Sequence, residues 1–265
     1  MIVGRGSYCN FPLSINDVTN LGSYVNPNVE TAIELQPDVI LATTTCDGLS
    51  QLQNAGIPVV IQNLANNSVL VPAIHFLGQL VNSQDNATTL VNWINHYTTI
   101  VTSRIAPLSA NQLPTFYAEQ AIEWQTPGSQ HVVGQLIVAA GGINIINSSS
   151  ANAIVVSPES ILEQNPQYIF KLTVSTDTAD ATFYQTAINS INTRTGFSEI
   201  TAVKSGNVYT YDYTLVQGLR YPVGLLYFAK SMHPDLFTDI DPATILPGMI
   251  EQFFGIDFPG VYLYP

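Results

Sequence analysis

Apolar residues recur at three- and four-residue intervals along the middle of the chain, between Ser83 and Ala106. This spacing puts them on one stripe of an α-helix, and Pro107 cannot continue a helix, so one long helix is predicted. Ser83 or Asp85 is a candidate for its N-terminal cap. The stripe consists of Ala87, Leu90, Val91, Ile94, Tyr97, Ile100, Val101 and Ile105.

The residues before this helix alternate between continuous apolar runs and helix-like patterns. Short apolar runs bounded by turn residues are typical of buried parallel strands, and helices between them are typical of βαβ units. The predicted strands span 2–4, 38–42 and 57–61, and the predicted helices span 29–35, 49–54 and 69–81.

The same alternation restarts after Pro107. Residues 119–130 are predicted to form an irregular loop that holds Trp124, and 207–211 is predicted to be the last strand of a second sheet. No element is predicted in the tail after Met232, which is rich in Pro, Gly and aromatic residues. The other predicted strands are 115–118, 154–156 and 168–172, and the predicted helices are 131–140, 159–164, 182–191 and 220–232.

The two halves of the chain contain a matched segment. Residues 30–40 align without gaps on residues 159–169, with four identities in eleven positions. Each copy has a Glu in the first turn of a short helix, a Pro that stops the helix, and a buried strand. Two related α/β lobes are therefore predicted, with ligands bound at the carboxyl ends of their strands.

Composition narrows the possible functions. The 265 residues are 46% hydrophobic, which is enough for two cores, and only 10% are charged. Seven basic residues stand against 19 acidic ones, for a net charge of −12. No Lys/Arg cluster is present, which argues against nucleic-acid binding through phosphate contacts. No apolar run reaches the roughly 18 residues of a membrane span.

Motifs for catalysis or direct metal binding are absent from the sequence. No GxSxG, GxxxxGK or GxGxxG motif occurs, which argues against an enzyme. A zinc or manganese site needs three or four converging ligands, and only His131 is predicted to lie at a suitable position. Cys9 and Cys46 each follow a predicted strand, and both a disulfide and a pair of buried free thiols are open.

The order of the motifs resembles the helical-backbone substrate-binding proteins of ABC importers for metal chelates. This resemblance implies an α/β fold of two Rossmann-like lobes with parallel sheets, joined by one long backbone helix. The implied division is 1–82, 83–107 and 108–265, with the family's first strand and helix missing ahead of Ile2. The motifs that carry the resemblance are residues 2–4 with 8–12, 21–22, 28–30 with 35–40, 56–60, 77–78, 140–144, 157–159, 202–209 and 232–237.

The resemblance also implies a function. The chain would capture a ferric siderophore, haem or cobalamin in an interlobe cleft and deliver it to an ABC permease, with no catalysis and no resident cofactor. It would act outside the cytoplasm as a monomer, anchored to the membrane in its full-length form. Two alternatives are a direct zinc- or manganese-binding protein and a cell-surface interaction module, which the Asn-, Thr- and Tyr-rich composition favours.

Aromatic residues that follow strand ends are the candidate ligand contacts. Aromatic rings cover large flat ligands at low entropic cost, although each ring alone could instead pack beneath its loop. The resemblance adds Arg220 as a contact for an anionic chelate, with tethering of the last helix as the alternative, and Arg5 is a weaker candidate of the same kind. The aromatic candidates are Tyr8, Phe11, Tyr24, Trp124, Tyr211 and Tyr213.

Two glutamates occupy the positions that dock the permease in the family, where a Glu at the tip of each lobe pairs with permease arginines. They are Glu30 and Glu159. A carboxylate in the first turn of a helix also stabilises the positive end of the helix dipole, by roughly 0.3–1 kcal/mol. Both roles are compatible with one residue.

Overall fold

The computed structural model describes residues 1–64, 66–174 and 181–257, and the backbone of Leu263 and Tyr264. The chain divides into two compact units, Met1–Ala73 and Ile74–Pro265. The long helix belongs to the second of these units. The predicted three-part division at residues 82 and 107 stays a prediction.

The first unit holds two small parallel sheets. Strand β1 pairs with β2, and β3 pairs with β4 in the register Ile40 to Val59. The opening strand starts later than predicted, because Ile2 and Val3 are exposed ahead of it. The elements are β1 Gly4–Arg5, β2 Thr19–Asn20, α1 Val29–Glu34, β3 Ile40–Ala42, α2 Leu49–Asn54, β4 Val59–Ile61 and α3 Asn67–Leu80, which continues past the end of the unit.

The second unit is built around one five-stranded sheet in the order β11-β10-β9-β5-β7. The strands β7, β5, β9 and β10 are parallel, and β11 is antiparallel to β10. The α/β class with parallel sheets is confirmed. The elements are α4 Gln84–Ile105, β5 Thr115–Glu119, β6 Gln125–Pro127, α5 Val132–Ala139, β7 Ile143–Asn144, β8 Ala153–Val155, α6 Pro158–Gln164, β9 Tyr168–Thr173, α7 Ala181–Asn192, α8 Thr201–Lys204, β10 Val208–Asp212, α9 Tyr221–Met232, α10 Pro242–Phe254 and β11 Leu263–Tyr264.

Both faces of this sheet are buried, which explains the continuous apolar runs in its strands. Phe116 and Ala118 of β5 pack with α5 and α9 on one face. Tyr117, between them, packs on the other face with Ile188 of α7 and Phe197. Successive side chains of a strand point to opposite faces, so β5 contributes to both cores.

Within the second unit, the helix α4 buries part of its apolar stripe. Val101 lies in the core cluster that includes α9, and Ile94 is fully buried. Arg104 anchors the last turn through two hydrogen bonds to Asp239, of 2.6 and 2.9 Å. Ser83 is the N-cap residue of α4, as predicted, but its side chain does not make the expected capping hydrogen bond. In the described part of the chain, no helix is both long enough and apolar enough to cross a membrane.

The matched segments have the same local structure. In each copy, the side chain ahead of the helix accepts a hydrogen bond from the N–H three residues later. Asn28 accepts from Thr31 at 3.1 Å, and Ser157 accepts from Ser160 at 3.2 Å. These bonds satisfy first-turn amides that have no partner within the helix.

The ends of the two matched helices also agree. Gln36 and Asn165 both adopt left-handed backbone conformations, with φ of 48° and 44°. Each precedes a proline, Pro37 or Pro166, and proline disfavours the helical conformation of the residue before it. The repeat therefore extends from the cap to the strand that follows.

The second unit contains elements that the sequence did not predict, among them β7 and α8. The segment 119–130 contains β6, which pairs with β8 in a separate antiparallel sheet. The strand at 207–211 is not the last one, because β11 pairs with β10. The tail contains the 13-residue helix α10, which Pro247 and Gly248 concealed because neither residue favours a helix interior.

Two helical glycines provide a test of this packing. A Cβ at Gly224 of α9 would collide with the carbonyl oxygen of Leu215, whereas a Cβ at Gly248 of α10 meets no atom within 4 Å. Gly224→Ala should lower the free energy of unfolding by about 1–3 kcal/mol through overpacking. Gly248→Ala should raise it by about 0.5–1 kcal/mol, because alanine favours the helix. Urea denaturation measures both, and equal effects of the two substitutions would contradict the packing of α9.

Candidate functional site

Exposed apolar side chains mark the carboxyl ends of three neighbouring strands in the second unit. Ile122 lies three residues after β5, Val174 directly follows β9, and Tyr213 directly follows β10. They are 62%, 63% and 37% exposed. The strands are adjacent and parallel, so these residues lie at one edge of the sheet, where ligands bind in α/β proteins. We call Ile122, Val174 and Tyr213 the apolar rim.

The sequence predicted only one residue of this rim, Tyr213. Ile122 and Val174 are single aliphatic residues in loops, and their type and spacing give no signal of ligand binding. The signal that could have found them is their position within three residues of the end of a buried strand.

A buried charge cluster lies beneath the same edge. Glu119, fully buried at the end of β5, is directly opposite Lys171 of β9 in the sheet register. Its Oε1 accepts from Lys171 Nζ at 2.8 Å and from Arg194 Nη2 at 2.8 Å. Its Oε2 accepts from Arg194 Nη1 at 2.7 Å and from the Tyr117 hydroxyl at 3.1 Å. We call Glu119, Lys171 and Arg194 the charge triad.

The triad settles the charge state of Glu119. Burial alone would raise the pKa of Glu119, but the hydrogen bonds from Arg194 and Lys171 outweigh burial and lower this pKa. Burial and the nearby carboxylate raise the pKa of Tyr117, so that phenol stays protonated and donates. The cluster is therefore an ion-pair network in which Glu119 is ionised.

Trp124 lies over this triad. Its ring is half-buried, 4.2 Å from the Arg194 guanidinium carbon and 5.8 Å from the Phe197 ring, centroid to centroid. Its backbone N–H donates to Glu119 Oε2 at 3.1 Å. Trp124 therefore packs beneath its loop, which is the alternative role that the sequence left open. It lies close to the sheet edge where the strands end.

Tyr211 is a correction to the predicted ligand contacts. Its side chain is fully buried, with its ring centroid 5.1 Å from that of Phe228 in the core. Tyr211 lies within β10, Val208–Asp212, and strand alternation turns its side chain into the core cluster that contains Phe228. Arg220 is half-buried just ahead of α9.

In the first unit, two predicted aromatic residues pair at the surface. Tyr8 and Tyr24 are 77% and 52% exposed, with ring centroids 6.1 Å apart in an edge-on arrangement. Phe11 is half-buried. Arg5 donates a hydrogen bond to the Cys9 carbonyl at 3.2 Å, so it stabilises the loop that follows β1.

His131, the one histidine that the sequence placed near a ligand site, caps a helix. Its Nδ1 accepts from the Val133 N–H at 3.2 Å at the start of α5. Within the described ranges, no three His, Cys, Asp or Glu side chains are grouped so as to hold a metal ion. Cys9 and Cys46 are free thiols, and Cys9 is exposed rather than buried.

Glu30 and Glu159 occupy equivalent positions in the two matched segments. Each lies in the first turn of its helix, α1 or α6, and each is exposed. Their roles in docking are not tested by this geometry and stay a prediction.

Known proteins share this sequence pattern and fold. A family model described as periplasmic binding protein matches residues 1–215. A Bacillus subtilis protein named as an uncharacterized ABC transporter substrate-binding lipoprotein, YvrC, is 27% identical over 90% of this chain and 75% of its own length. The molybdate-binding protein MolA of Haemophilus influenzae is 22% identical over 94% of this chain and 76% of its own. The solved structure of the TroA-like periplasmic binding protein FepB from Veillonella parvula superposes with a TM-score of 0.88 at 19% identity, covering 99% of this chain and 86% of that one.

The cap formed by His131 predicts a specific pH dependence. Burial lowers the pKa of His131 below its ordinary value, so the folded state favours the neutral ring. Its contribution to stability is complete above the unfolded-state pKa of about 6.5 and is lost as the pH falls from there through the folded-state pKa. His131→Asn keeps a good cap without a titrating group.

We therefore expect the melting temperature of the wild type to fall more than that of the His131→Asn variant between pH 7.5 and pH 5. Thermal melts of both proteins across that range measure the difference. Parallel curves would show that the His131 ring is not held in its neutral form.

Proposed function

Because this chain belongs to the periplasmic binding protein family, we propose that it binds a bulky metal chelate of low net charge for an ABC importer. The cargo would be a ferric siderophore, a haem-like complex or a corrinoid such as cobalamin. The observation that carries this proposal is the exposure of apolar and aromatic side chains at the carboxyl ends of the strands. Burying such side chains against a large ligand is favourable by roughly 25 cal/mol per Å² of apolar area.

The contacts in the first unit fit a large ligand with flat or apolar surfaces. Tyr8 and Tyr24 offer two neighbouring ring faces together with two hydroxyl groups. In the second unit, the apolar rim offers Ile122, Val174 and Tyr213. Tyrosine combines large contact area with a polar tip, which suits a chelate that has both organic and polar parts.

The cations of the protein argue against a small, highly charged oxyanion as the cargo. The sequence has only seven Lys and Arg residues and a net charge of −12. Arg220 is half-buried ahead of α9. Internal carboxylates or main-chain carbonyls accept hydrogen bonds from Arg5, Arg104, Lys171, Arg194, Lys204 and Lys230.

The relative MolA is a molybdate-binding protein. Recognition of a small dianion generally needs charge-assisted hydrogen bonds from cations or clusters of N–H groups. With so many cations committed to internal partners, we favour a cargo held by contact area rather than by charge. Molybdate is the natural competing ligand in a test.

We further propose that Glu30 and Glu159 dock the permease. Each is an exposed carboxylate on a capped helix, and the two helices share one local structure, from the cap to the left-handed residue that ends them. Such a pair would present the same charged group from each unit to arginines of a partner. Rim charges of this kind affect association and specificity more than the fold.

We also propose that the protein works outside the cytoplasm as a monomer and that its full-length form is anchored to the membrane. The support for an anchor is the relative YvrC, whose name describes a lipoprotein.

The choice of cargo can be tested by titration. Quenching of tryptophan fluorescence by haem, cyanocobalamin and ferrioxamine B should reveal saturable binding of at least one chelate, with no response to molybdate. Tyr8→Ala and Tyr24→Ala should each weaken that binding by about tenfold, because tyrosine is enriched among the contact residues whose truncation costs more than about 1 kcal/mol.

Phe76→Ala is the matched control, since Phe76 is 39% exposed on α3 and follows no strand end. Its affinity should equal that of the wild type. Saturable binding of molybdate without binding of any chelate would refute the proposed cargo.

Docking can be tested with transport into proteoliposomes that contain the cognate permease. The double variant Glu30→Gln, Glu159→Gln should lose most uptake while its affinity for the chelate stays unchanged. Glu34→Gln, Glu163→Gln is the control, because these exposed glutamates lie one turn later in the same two helices. Equal uptake by both double variants would remove the docking role.

A further inference from the structure

The charge triad costs more to bury than an apolar cluster of the same size would. Moving charges out of water carries a penalty of several kcal/mol per ion, and replacing a buried ion pair by packed apolar residues is often neutral or stabilising. A gain in stability alone therefore does not account for the burial of Glu119, Lys171 and Arg194. Their remaining contacts point to a different role.

Most of those contacts go to one short loop, residues 120–124, between β5 and β6. Lys171 Nζ donates to the carbonyls of Gln120 at 2.7 Å and Ala121 at 3.3 Å. Arg194 Nη2 lies 3.5 Å from Glu123 Oε1. Four of the five loop residues thus touch the triad, since Trp124 does so through its N–H and its ring.

The loop also contains a backbone conformation that needs support. Trp124 has φ of 64°, in the left-handed region that is unfavourable for a non-glycine residue. Three main-chain hydrogen bonds involve this segment. The N–H groups of Gln120, Gln125 and Val156 donate to the carbonyls of Gln125, Ile122 and Trp124, respectively. The triad adds the contacts that fix the carbonyls of 120 and 121 and the indole ring.

We propose that the three residues of the charge triad, Glu119, Lys171 and Arg194, are positioning residues. They hold the loop 120–124 in the conformation that receives the ligand. This inference rests on the proposed function, because the loop carries Ile122 of the apolar rim. A loop ordered before binding spares the ligand the entropy cost of ordering it. The triad supplies that order from side chains that the ligand does not touch.

Two substitutions loosen the triad without removing Glu119. Arg194→Lys keeps the positive charge but loses the planar fork and the stacking on Trp124. Lys171→Met removes the donors to the carbonyls of Gln120 and Ala121 while the bidentate pair of Glu119 with Arg194 remains. Arg104→Lys is the matched control, because Arg104 forms the same kind of bidentate pair with Asp239 and makes no contact with the loop.

The chain has two tryptophans, so Trp93→Phe makes Trp124 the sole reporter. The measured quantity is the constant for quenching of Trp124 fluorescence by acrylamide, at a temperature where all variants are folded. In the Trp93→Phe background, this constant should rise at least twofold for Arg194→Lys and Lys171→Met and stay unchanged for Arg104→Lys. Calorimetric titration with haem, cyanocobalamin and ferrioxamine B should show about tenfold weaker binding, as expected if the receptive loop conformation falls to a tenth of the population. At saturating chelate, the emission of Trp124 in Arg194→Lys and Lys171→Met should equal that of the parent at the same chelate concentration.

The outcomes separate this inference from the proposed function. If the parent binds none of the chelates, the proposed function fails whatever the loop does. If the parent binds a chelate but the loosened variants bind it equally well, or if Trp124 is no more accessible in them, the positioning role is overturned and the proposed function stands.

Discussion

The pairing of Glu119 with Lys171 fixes how the second unit is built. These two residues lie opposite each other in the β5–β9 register, and Arg194 closes the pair from the segment after α7. A slip of one residue in either strand would turn the charges into the apolar cluster that contains Phe116, Ala118 and Phe170. The triad therefore specifies the register, and through it which side chains reach each core and which loop lies above the sheet edge.

In both units, a carboxylate is placed at the surface by a short helix with the same local structure. A polar cap starts a short helix, one buried residue anchors it, and a left-handed residue before proline ends it. The buried anchors are Ala32 in α1 and Ile161 in α6, at equivalent positions. Local backbone chemistry is enough to explain this agreement, which is why the similarity is visible in the sequence and survives in the structure.

Local signals made much of the fold predictable, and the absence of local signals explains the rest. Periodicity and caps predicted α1, α2 and α4, and apolar runs predicted β3, β4, β5, β9 and β10. Proline and glycine concealed α10, and the strands β6 and β11, of three and two residues, were missed because they are too short to show a pattern. At the site, Tyr8, Tyr24 and Tyr213 are exposed, whereas strand alternation buries Tyr211. The triad was not predictable, because its members lie 52 and 75 residues from Glu119 in sequence.

Hydrogen exchange measured with and without a bound chelate reports on every loop at once, and so shows where the ligand binds. If the carboxyl ends of the strands receive the ligand, exchange should slow in the loop after β1, in residues 120–124 and at Tyr213, with α1 and α6 unchanged. Slower exchange confined to α1, α6 or the outer turns of α4, with the strand-end loops unaffected by a ligand that binds, would contradict binding at the strand ends.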